Sequence, residues 1–436
     1  MITTGITGQT WRASITPWGS IEPWDDDTAS LQWYVAADDR WHVPADEQSV
    51  RQQRIDGVAV VETRVRVPSG DVAQRIYSVA DGGGLTIVEI ENESAMPVAI
   101  AFDRRDVLTE RPIGDVPIEG IELPVGAFVA PLGHRATIRV AIAHGAQRSG
   151  PVPSSASAMM QVVRGWLTLT ERASRLVLPD GERGGTLARA ATSERCEIAL
   201  GSIPAVADDA VGFALALNEL VRMGERPDHW IPELADAVAD IAPVHGWDGD
   251  VALVAARRVL IVADEARAVR DLDRIVAHRP RSVLPTVVPS GVRSIAWIES
   301  MLASGPDLLP VGLPTEWLGQ SFEVYDVPTT GRASVSFAVR WHGERPAVIW
   351  EQTGERVSLT ASVLAPDWSS AEQKGEALWP PPPGSAALIV TDPAAVPVDR
   401  PADRPGAIDT VEPGDVGADD EPSATTDDHG DPGSFT

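Results

Sequence analysis

Three features that many proteins have are scarce or missing in this chain of 436 residues. Its single cysteine, Cys196, excludes an internal disulfide and any cysteine-rich zinc site. No run of about 18 apolar residues occurs, so the sequence predicts no membrane-spanning helix. The first residues do not combine a basic segment with an apolar one, so we find no secretory signal. These absences together predict a cytoplasmic protein.

Positive charge is also scarce, since the formal net charge is −27. A surface this acidic repels phosphate groups, which argues against nucleic acids and anionic membranes as partners. From Gly384 onward the chain has ten Asp and two Glu against two Arg, a net charge of −10. This segment offers little apolar surface to bury, so residues 380–436 are predicted to be a disordered acidic tail.

The first part of the chain, residues 1–150, has the pattern of β-strands. Apolar and polar residues alternate in VAVVETRVRV, and similar segments follow, namely VAQRIYSVA, LTIVEIEN, PVAIAFD and RATIRVAIA. Turn residues recur every dozen positions or so, and no helical period separates the strands. The pattern therefore predicts an antiparallel β-sandwich rather than βαβ units.

A helical period begins after residue 150 and ends near residue 309. Met159, Val162, Val163 and Trp166 share one helical face. Further helices are predicted for DDAVGFALALNELVRMG, HWIPELADAVADIA, GVRSIAWIESMLA and, with a break near Asp264, for the long segment between the last two. This makes about six helices over residues 151–309.

Strand periodicity returns over residues 310–379, in QSFEVYD, RASVSFAVRW, PAVIWEQ and RVSLTASVL. The predicted fold class is therefore α+β, with a β-sandwich, a helical middle, a C-terminal β region and the acidic tail. One segment, RRVLIVADEARAVRDLDRIV, also fits a strand, an acidic loop and a helix, as in α/β receiver domains. We favour a helix because no series of parallel-strand units surrounds this segment. A receiver domain would also need a lysine downstream of it, and the only lysine, Lys374, is distant.

Most sequence signatures of catalysis are missing. There is no phosphate-binding Gly-rich loop, no dinucleotide fingerprint, no nucleophile elbow and no zinc-protease motif. The eight histidines do not have metal-ligand spacing. We therefore predict neither a metal nor a cofactor.

Tryptophan is unusually frequent, with 14 Trp against 6 Phe and 3 Tyr, and two clusters combine it with charged residues. An indole can stack on the C–H face of a sugar, while carboxylates accept hydrogen bonds from its hydroxyls. The candidate ligand-binding residues of the first cluster are Trp33, Asp38, Asp39, Arg40, Trp41 and His42. The alternative is a surface turn flanked by core tryptophans.

The second cluster follows residue 312 and centres on the turn HGER. Its candidate ligand-binding residues are Trp317, Arg340, Trp341, His342, Glu344 and Arg345. The alternative here is an ordinary solvated hairpin turn with an internal Glu–Arg pair. We predict that Trp41 and Trp341 line one ligand groove, because loops at the ends of sandwich strands often carry function.

A β-sandwich that opens with PWGSIEPWDDDTASLQWYVAADDRWH and is followed by helices resembles the N-terminal part of bacterial glycoside hydrolases of the glucoamylase and glycogen-debranching type. The resemblance covers roughly 380 residues and implies a β-supersandwich with an (α/α)6 toroid. A toroid needs about a dozen helices, twice the number predicted here. Glycoside hydrolysis needs two opposed carboxyl groups, for which Glu316 and Asp248 are the favoured candidates and Asp250 is another.

Three hypotheses follow from this resemblance and from the composition. The favoured one is a glycan-binding, catalytically reduced relative of these enzymes, with an oligosaccharide or polysaccharide as partner. The second is an active glycosidase that acts on an α-glucan-like substrate. The third is a scaffold whose acidic tail recruits a basic partner. The sequence leaves the oligomeric state open.

Overall fold

The structure is a computed structural model that describes residues 1–22, 30–114, 119–145, 150–179, 184–280 and 282–383. All of them belong to one compact unit. The segment 384–436, which contains nearly all of the predicted acidic tail, lies outside the described residues. So do residues 23–29, in the segment that carries the resemblance to glycoside hydrolases.

The N-terminal region is built from short strands, as its alternating sequence predicts. Its strands are β1 (Ile2–Gly5), β2 (Arg12–Ile15), β3 (Ile21–Glu22), β4 (Trp33–Ala36), β5 (Trp41–His42), β6 (Arg51–Arg54), β7 (Val61–Val67), β8 (Gly70–Val79), β9 (Leu85–Asn92), β10 (Val98–Phe102), β11 (Leu108–Thr109), β12 (Phe128–Leu132), β13 (Thr137–Ala143) and β14 (Gly150–Pro151). The five longest segments predicted from the sequence correspond to β7, β8, β9, β10 and β13.

These strands form three sheets, ordered β1-β2-β3, β12-β10-β4-β5 and β14-β11-β13-β9-β8-β7-β6. All pairs are antiparallel apart from the two-residue pairing of β11 with β14. Side chains from the three sheets share one apolar core. This arrangement confirms the predicted N-terminal sandwich.

The seven-stranded sheet is covered on both faces because its central strands are apolar on both. In β9, Val88 and Ile90 face the sandwich core, whereas Leu85 and Ile87 face a second core. That second core also contains Trp166 and other helical residues. A strand has a side-chain period of two, so a run such as LTIVEIEN can serve both layers at once.

Seven helices follow in the described residues. They are α1 (Met159–Thr170), α2 (Gly184–Ala199), α3 (Val206–Met223), α4 (Ile231–Ile241), α5 (Trp247–Val262), α6 (Ala266–Ala277) and α7 (Val292–Leu302). The ambiguous segment forms α5 and α6, with the break at Asp264, where φ is +59°. Helix there was the favoured prediction, and the receiver-like alternative is wrong.

Helix α2 was not predicted from the sequence. Its buried face carries Leu187, Ala191, Arg195 and Ile198, which are spaced by three or four residues. Arg195 thus occupies a position where an apolar residue would have completed the helical pattern. The sequence signal is weak because this buried face includes a charge.

The remaining strands are β15 (Arg175–Val177), β16 (Ala303–Ser304), β17 (Asp307–Leu308), β18 (Phe322–Pro328), β19 (Ser334–His342), β20 (Arg345–Thr353), β21 (Leu359–Thr360), β22 (Ser369–Ser370) and β23 (Lys374–Leu378). They form a five-stranded sheet, β15-β18-β19-β20-β23, and a small sheet, β16-β17-β21-β22. The first three predicted C-terminal strands are confirmed as β18, β19 and β20. Of the fourth, RVSLTASVL, only two residues form a strand.

The helices and the C-terminal sheet pack together. Strand β15, which follows α1, pairs with β18, and one apolar core contains residues of α2, α7 and the five-stranded sheet. A separate core lies between α3, α4, α5 and α6. No helix of the described residues is both long and apolar enough to span a bilayer.

Candidate functional site

A large cavity lies between three helices and the C-terminal β region. Its volume is about 770 Å³, within the range that is typical of small-molecule sites. Helices α3, α5 and α7 supply most of the wall. Asp273 of α6, the segment 282–284, the residues around β16, Pro310 and Val311, and the turn between β18 and β19 complete it.

Each helix presents one face to the cavity, with residues spaced by three and four positions. The lining residues are Leu215, Asn218 and Glu219 of α3; Trp247, Asp250, Val251, Val254, Ala255, Arg257 and Arg258 of α5; and Val292, Ile295, Ala296, Glu299 and Ser300 of α7. The walls are therefore mainly apolar, and a few charged side chains point inward from separate helices.

A buried ionic cluster stands behind this wall, which we call the arginine–glutamate cluster (Arg195, Glu219, Arg222 and Glu299). Arg195 is 2% exposed; its Nε lies 2.8 Å from Glu219 and its Nη2 lies 2.9 Å from Glu299. Arg222 Nη1 lies 2.5 Å from Glu219 and 2.9 Å from Glu299. Both carboxylates thus share the same two guanidinium groups.

The surroundings complete the hydrogen bonding of this cluster. Ser174 donates to Glu299 at 2.7 Å and its carbonyl accepts from Arg195 at 2.9 Å. Burial opposes ionisation of Glu219, but the charges of Arg222 and Arg195, and their hydrogen bonds, outweigh it and hold the pKa of Glu219 well below its usual range. Glu219 is therefore a carboxylate at neutral pH.

The other two carboxylates on the cavity wall are also paired with arginines. Arg257 Nε donates to Asp273 at 2.6 Å, and Arg279 Nε donates to Asp250 at 2.6 Å. Each of the four carboxylates that the described residues place on the wall therefore has an arginine partner.

Two polar groups of the wall have no partner among the described residues. The Nε atom of Arg258 in α5 is buried and makes no hydrogen bond. Thr329, in the turn between β18 and β19, is 4% exposed, and its Oγ1 atom makes none either. Buried polar groups are nearly always hydrogen-bonded. Both residues line the cavity, but the two atoms themselves are covered by protein, so a ligand atom reaches them only when these side chains turn towards the cavity.

The first predicted cluster forms the β4–β5 hairpin, away from this cavity. Trp33 is 1% exposed and belongs to the sandwich core. Asp39 lies 3.0 Å from Nε2 of His42, and Arg40 donates to Glu47 at 2.6 Å. Asp38 is exposed. Of the two tryptophans that flank this turn, Trp33 is a core residue and Trp41 is half-buried, and the polar groups of the turn bond mainly to one another.

Trp41 covers a neighbouring loop, where its Nε1 donates to the carbonyl of Glu119 at 2.8 Å. Trp341 is similarly placed, donating to the carbonyl of Gln320 at 2.9 Å. Both rings are half-buried, and neither lines any of the described cavities. The groove that they were predicted to share stays a prediction.

The second predicted cluster lies mostly on the five-stranded sheet. Trp317 is fully buried in the core. Arg340 pairs with Glu323, and Arg345 donates to the carbonyls of Trp379 and Leu378 at 3.1 and 3.0 Å, so it fixes the end of β23.

The turn of the HGER hairpin is a tight one, with His342 opposite Arg345. His342 is exposed and Glu344 is half-buried. The two residues meet the solvent at one end of the sheet, but the internal Glu–Arg pair of the alternative interpretation is not among the ion pairs of the described residues, because Arg345 bonds to the carbonyls of Trp379 and Leu378 instead.

The predicted catalytic pair lies outside the cavity wall. Glu316 is an exposed residue of the short helical turn before β18. Asp248 is in the first turn of α5, 3.6 Å from Arg293 Nε. Asp250, the further candidate, does line the cavity.

The residues that do converge were not found by sequence reasoning. Glu219, Glu299 and Arg258 all interrupt strongly apolar helical segments, namely FALALNELV, SIAWIESML and VALVAARRVLIV. A charged residue on an apolar helical face must be paired or functional when it is buried. That signal was present in the sequence, whereas the partners, which come from three helices, could not be identified from spacing.

Among the described residues, no group of three histidine, cysteine, aspartate or glutamate side chains is arranged to hold a metal ion. Comparison with known proteins adds no family: no protein-family model matches the sequence, and no curated protein does either.

Proposed function

We propose that this chain binds a small polyhydroxylated molecule, of the size of a mono- or disaccharide, in the cavity between α3, α5 and α7, and that it does not hydrolyse it. The observation that carries the proposal is the cavity itself, with apolar walls and two unpartnered polar atoms, Arg258 Nε and Thr329 Oγ1. Concave sites of this kind, with few convergent polar groups, are typical of small-molecule binding.

The wall offers both kinds of contact that a sugar requires. Val254 and the edges of Trp247 and Leu215, which are otherwise buried, provide apolar surface for C–H groups. Ser300 provides a hydroxyl, and Asn218, whose amide nitrogen already donates to Glu219 at 3.0 Å, adds a carbonyl oxygen. These contacts support the glycan-binding hypothesis among those drawn from the sequence.

Hydrolysis is not supported by the charges at the site. A glycosidase needs one carboxyl group that is protonated near neutral pH and a second that faces it across the bond. Glu219 and Glu299 are close to each other, but Arg222 Nη1 contacts both. Arg222 and Arg195 hold the pKa of Glu219 well below its usual range, so Glu219 is a carboxylate at neutral pH and does not serve as the proton donor.

The alternatives gain less from the geometry. An active glycosidase that uses Glu316 and Asp248 finds no support in the cavity, because neither residue lines it. The scaffold hypothesis depends on the acidic tail, which lies outside the described residues. Both stay predictions.

The experiment is calorimetric titration of the full chain with glucose, maltose, glucuronate and glucose 1-phosphate, together with an assay for release of nitrophenol from aryl glycosides. We expect binding of at least one of these compounds and no release. The variant Ser300→Trp, which fills the cavity from α7, should abolish binding. Ser290→Trp, at an exposed position outside the wall, should not.

Failure of all four compounds to bind the parent protein contradicts the proposed function. Binding that survives Ser300→Trp places the site elsewhere. Release of nitrophenol that Ser300→Trp abolishes would show that the cavity is catalytic.

A further inference from the structure

We propose that the cavity recognises an oxyanion of its ligand, a carboxylate or a phosphate, which binds between Arg258 of α5 and Thr329 of the β18–β19 turn. The ligand would then be a sugar acid or a sugar phosphate rather than a neutral sugar. This inference rests on the proposed function for the sugar part of the ligand, and on the charges of the cavity for the anionic part.

The first argument is the balance of charge at the wall. Asp273 and Asp250 are neutralised by Arg257 and Arg279. The arginine–glutamate cluster contains two arginines and two glutamates, so it is neutral in itself. Arg258 is therefore one positive charge in excess.

An uncompensated charge that is shielded from water is costly. Arg258 is half-buried, and no described side chain forms an ion pair with it. An anionic ligand would supply the missing negative charge.

The second argument is the position of the unpartnered atoms. Arg258 Nε is a buried donor without an acceptor, and Thr329 Oγ1 is a buried hydroxyl without a partner. Their residues belong to different elements, and both residues line the same cavity. The two atoms are covered by protein, so each side chain has to turn towards the cavity to meet a ligand. A guanidinium offers parallel N–H groups that match a carboxylate or a phosphate, and a hydroxyl can donate a further hydrogen bond to the same group.

Arg258 remains a cation under ordinary conditions. Burial lowers its pKa to about 10, and the nearby charge of Arg222 lowers it too, whereas Glu299 and Glu219 raise it. A guanidinium with this pKa is protonated at neutral pH, and it would gain from a nearby anion.

The cavity is less suited to a positively charged ligand. Glu219 and Glu299 line the cavity, but Arg195 and Arg222 already bind both carboxylates. A metal ion or an ammonium group would have to displace a guanidinium. The wall therefore selects for a negative ligand rather than a positive one.

The test compares glucose, glucuronate, glucose 1-phosphate and inorganic phosphate by calorimetry with the full chain. We expect glucuronate or glucose 1-phosphate to bind at least tenfold more tightly than glucose; the acid and the phosphate ester distinguish the two kinds of oxyanion. Arg258→Met should remove this preference while leaving glucose binding within about threefold, since a lost charged hydrogen bond changes affinity by roughly one to two orders of magnitude.

Two further variants make the result specific. Thr329→Val, which keeps the shape of the side chain, should weaken binding of the anionic sugar by a few fold to tenfold. Arg270→Met removes an exposed arginine of α6 and should leave all affinities unchanged. Because Arg258 is an excess charge, Arg258→Met should also fold with an unchanged or higher melting temperature, so loss of binding cannot be ascribed to unfolding.

The outcomes separate this inference from the proposed function. Equal affinity for glucose and its anionic forms overturns the oxyanion site and leaves sugar binding intact. Binding of inorganic phosphate that depends on Arg258, without binding of any sugar, supports the oxyanion site and contradicts the proposed function. A preference for anionic sugars that persists in Arg258→Met also overturns the inference.

Discussion

The β4–β5 hairpin and the arginine–glutamate cluster use the same side-chain types in opposite ways. In the hairpin, Asp39, Arg40, His42 and Glu47 come from nine consecutive positions, and Arg40 and Asp39 are exposed. In the cluster, the charges come from α2, α3 and α7, and are nearly all buried. Charged residues that are close in sequence stabilise a turn here, whereas those that are distant in sequence build the site.

Burial explains why the ion pairs of the β4–β5 hairpin and those of the arginine–glutamate cluster should contribute differently to the stability of the fold. An exposed pair is screened by water and contributes little to stability. A buried pair has lost its hydration, so removal of one partner leaves a charge that nothing compensates. This difference can be tested by removing one arginine or one glutamate from the hairpin and from the arginine–glutamate cluster.

The largest effect is expected for Arg195→Met. The change leaves Glu219 and Glu299 with one guanidinium instead of two in a buried environment, so we expect a loss of roughly 3–5 kcal/mol in the free energy of unfolding. Urea titration measures it. Arg40→Met is the matched control in the hairpin, and its urea midpoint should stay close to that of the parent. Equal effects of the two changes would contradict the contrast.

A smaller effect is expected from pH. The folded-state pKa of Glu219 is lowered from an ordinary value of 4.5, so its ionisation stabilises the fold above that value, and this contribution is lost as the pH falls towards the folded-state pKa. Glu219→Gln should therefore be less stable than the parent at neutral pH, and the difference should shrink in acid.

Urea midpoints from neutral pH down to about pH 3 would show this convergence. Glu47 provides the hairpin control: the hydrogen bond from Arg40 lowers its pKa, and burial opposes that effect. Glu47→Gln should show the same sign with a smaller difference. A gap for Glu219→Gln that stays constant with pH would mean that its charge is not what stabilises the cluster.

The smallest effect on stability is expected for Trp41→Ala and Trp341→Ala, which should each cost about 1–2 kcal/mol, since each change removes a partly covered ring. Trp33→Ala is the buried reference: it removes a core residue and should cost about 3–5 kcal/mol. Urea titration gives these values.

Ligand titration of the same variants separates the two candidate sites. If the cavity is the site, Trp41→Ala and Trp341→Ala keep the affinity of the parent for sugars. If the predicted groove is the site, both lose it. Loss of binding in both variants would move the functional site from the helices to the hairpins.

Secondary structure was determined to a large extent by the sequence alone. The period-two pattern of β7 to β10 specifies strands locally, because apolar and polar side chains must alternate in a half-buried strand. The turn after β19 is also specified locally, because a tight turn needs a residue such as Gly343, whose φ is +62°. Six of the seven helices in the described residues were likewise indicated by their apolar faces and end signals. Helix α2 was missed because Arg195 interrupts its apolar face.

The site was decided by tertiary structure. No local pattern relates Glu219, Glu299 and Arg258. The two glutamates are 80 positions apart in the sequence, and only the packing of the helices brings them to the same arginine. Conversely, Trp33 and Trp317 were candidate ligand-binding residues because charged residues lie in the same two sequence clusters. Only the packing of the fold shows that both rings are buried in the core. Propensity acts over a few residues, whereas burial, which sets the energy of a charge and the accessibility of a ring, depends on the whole fold.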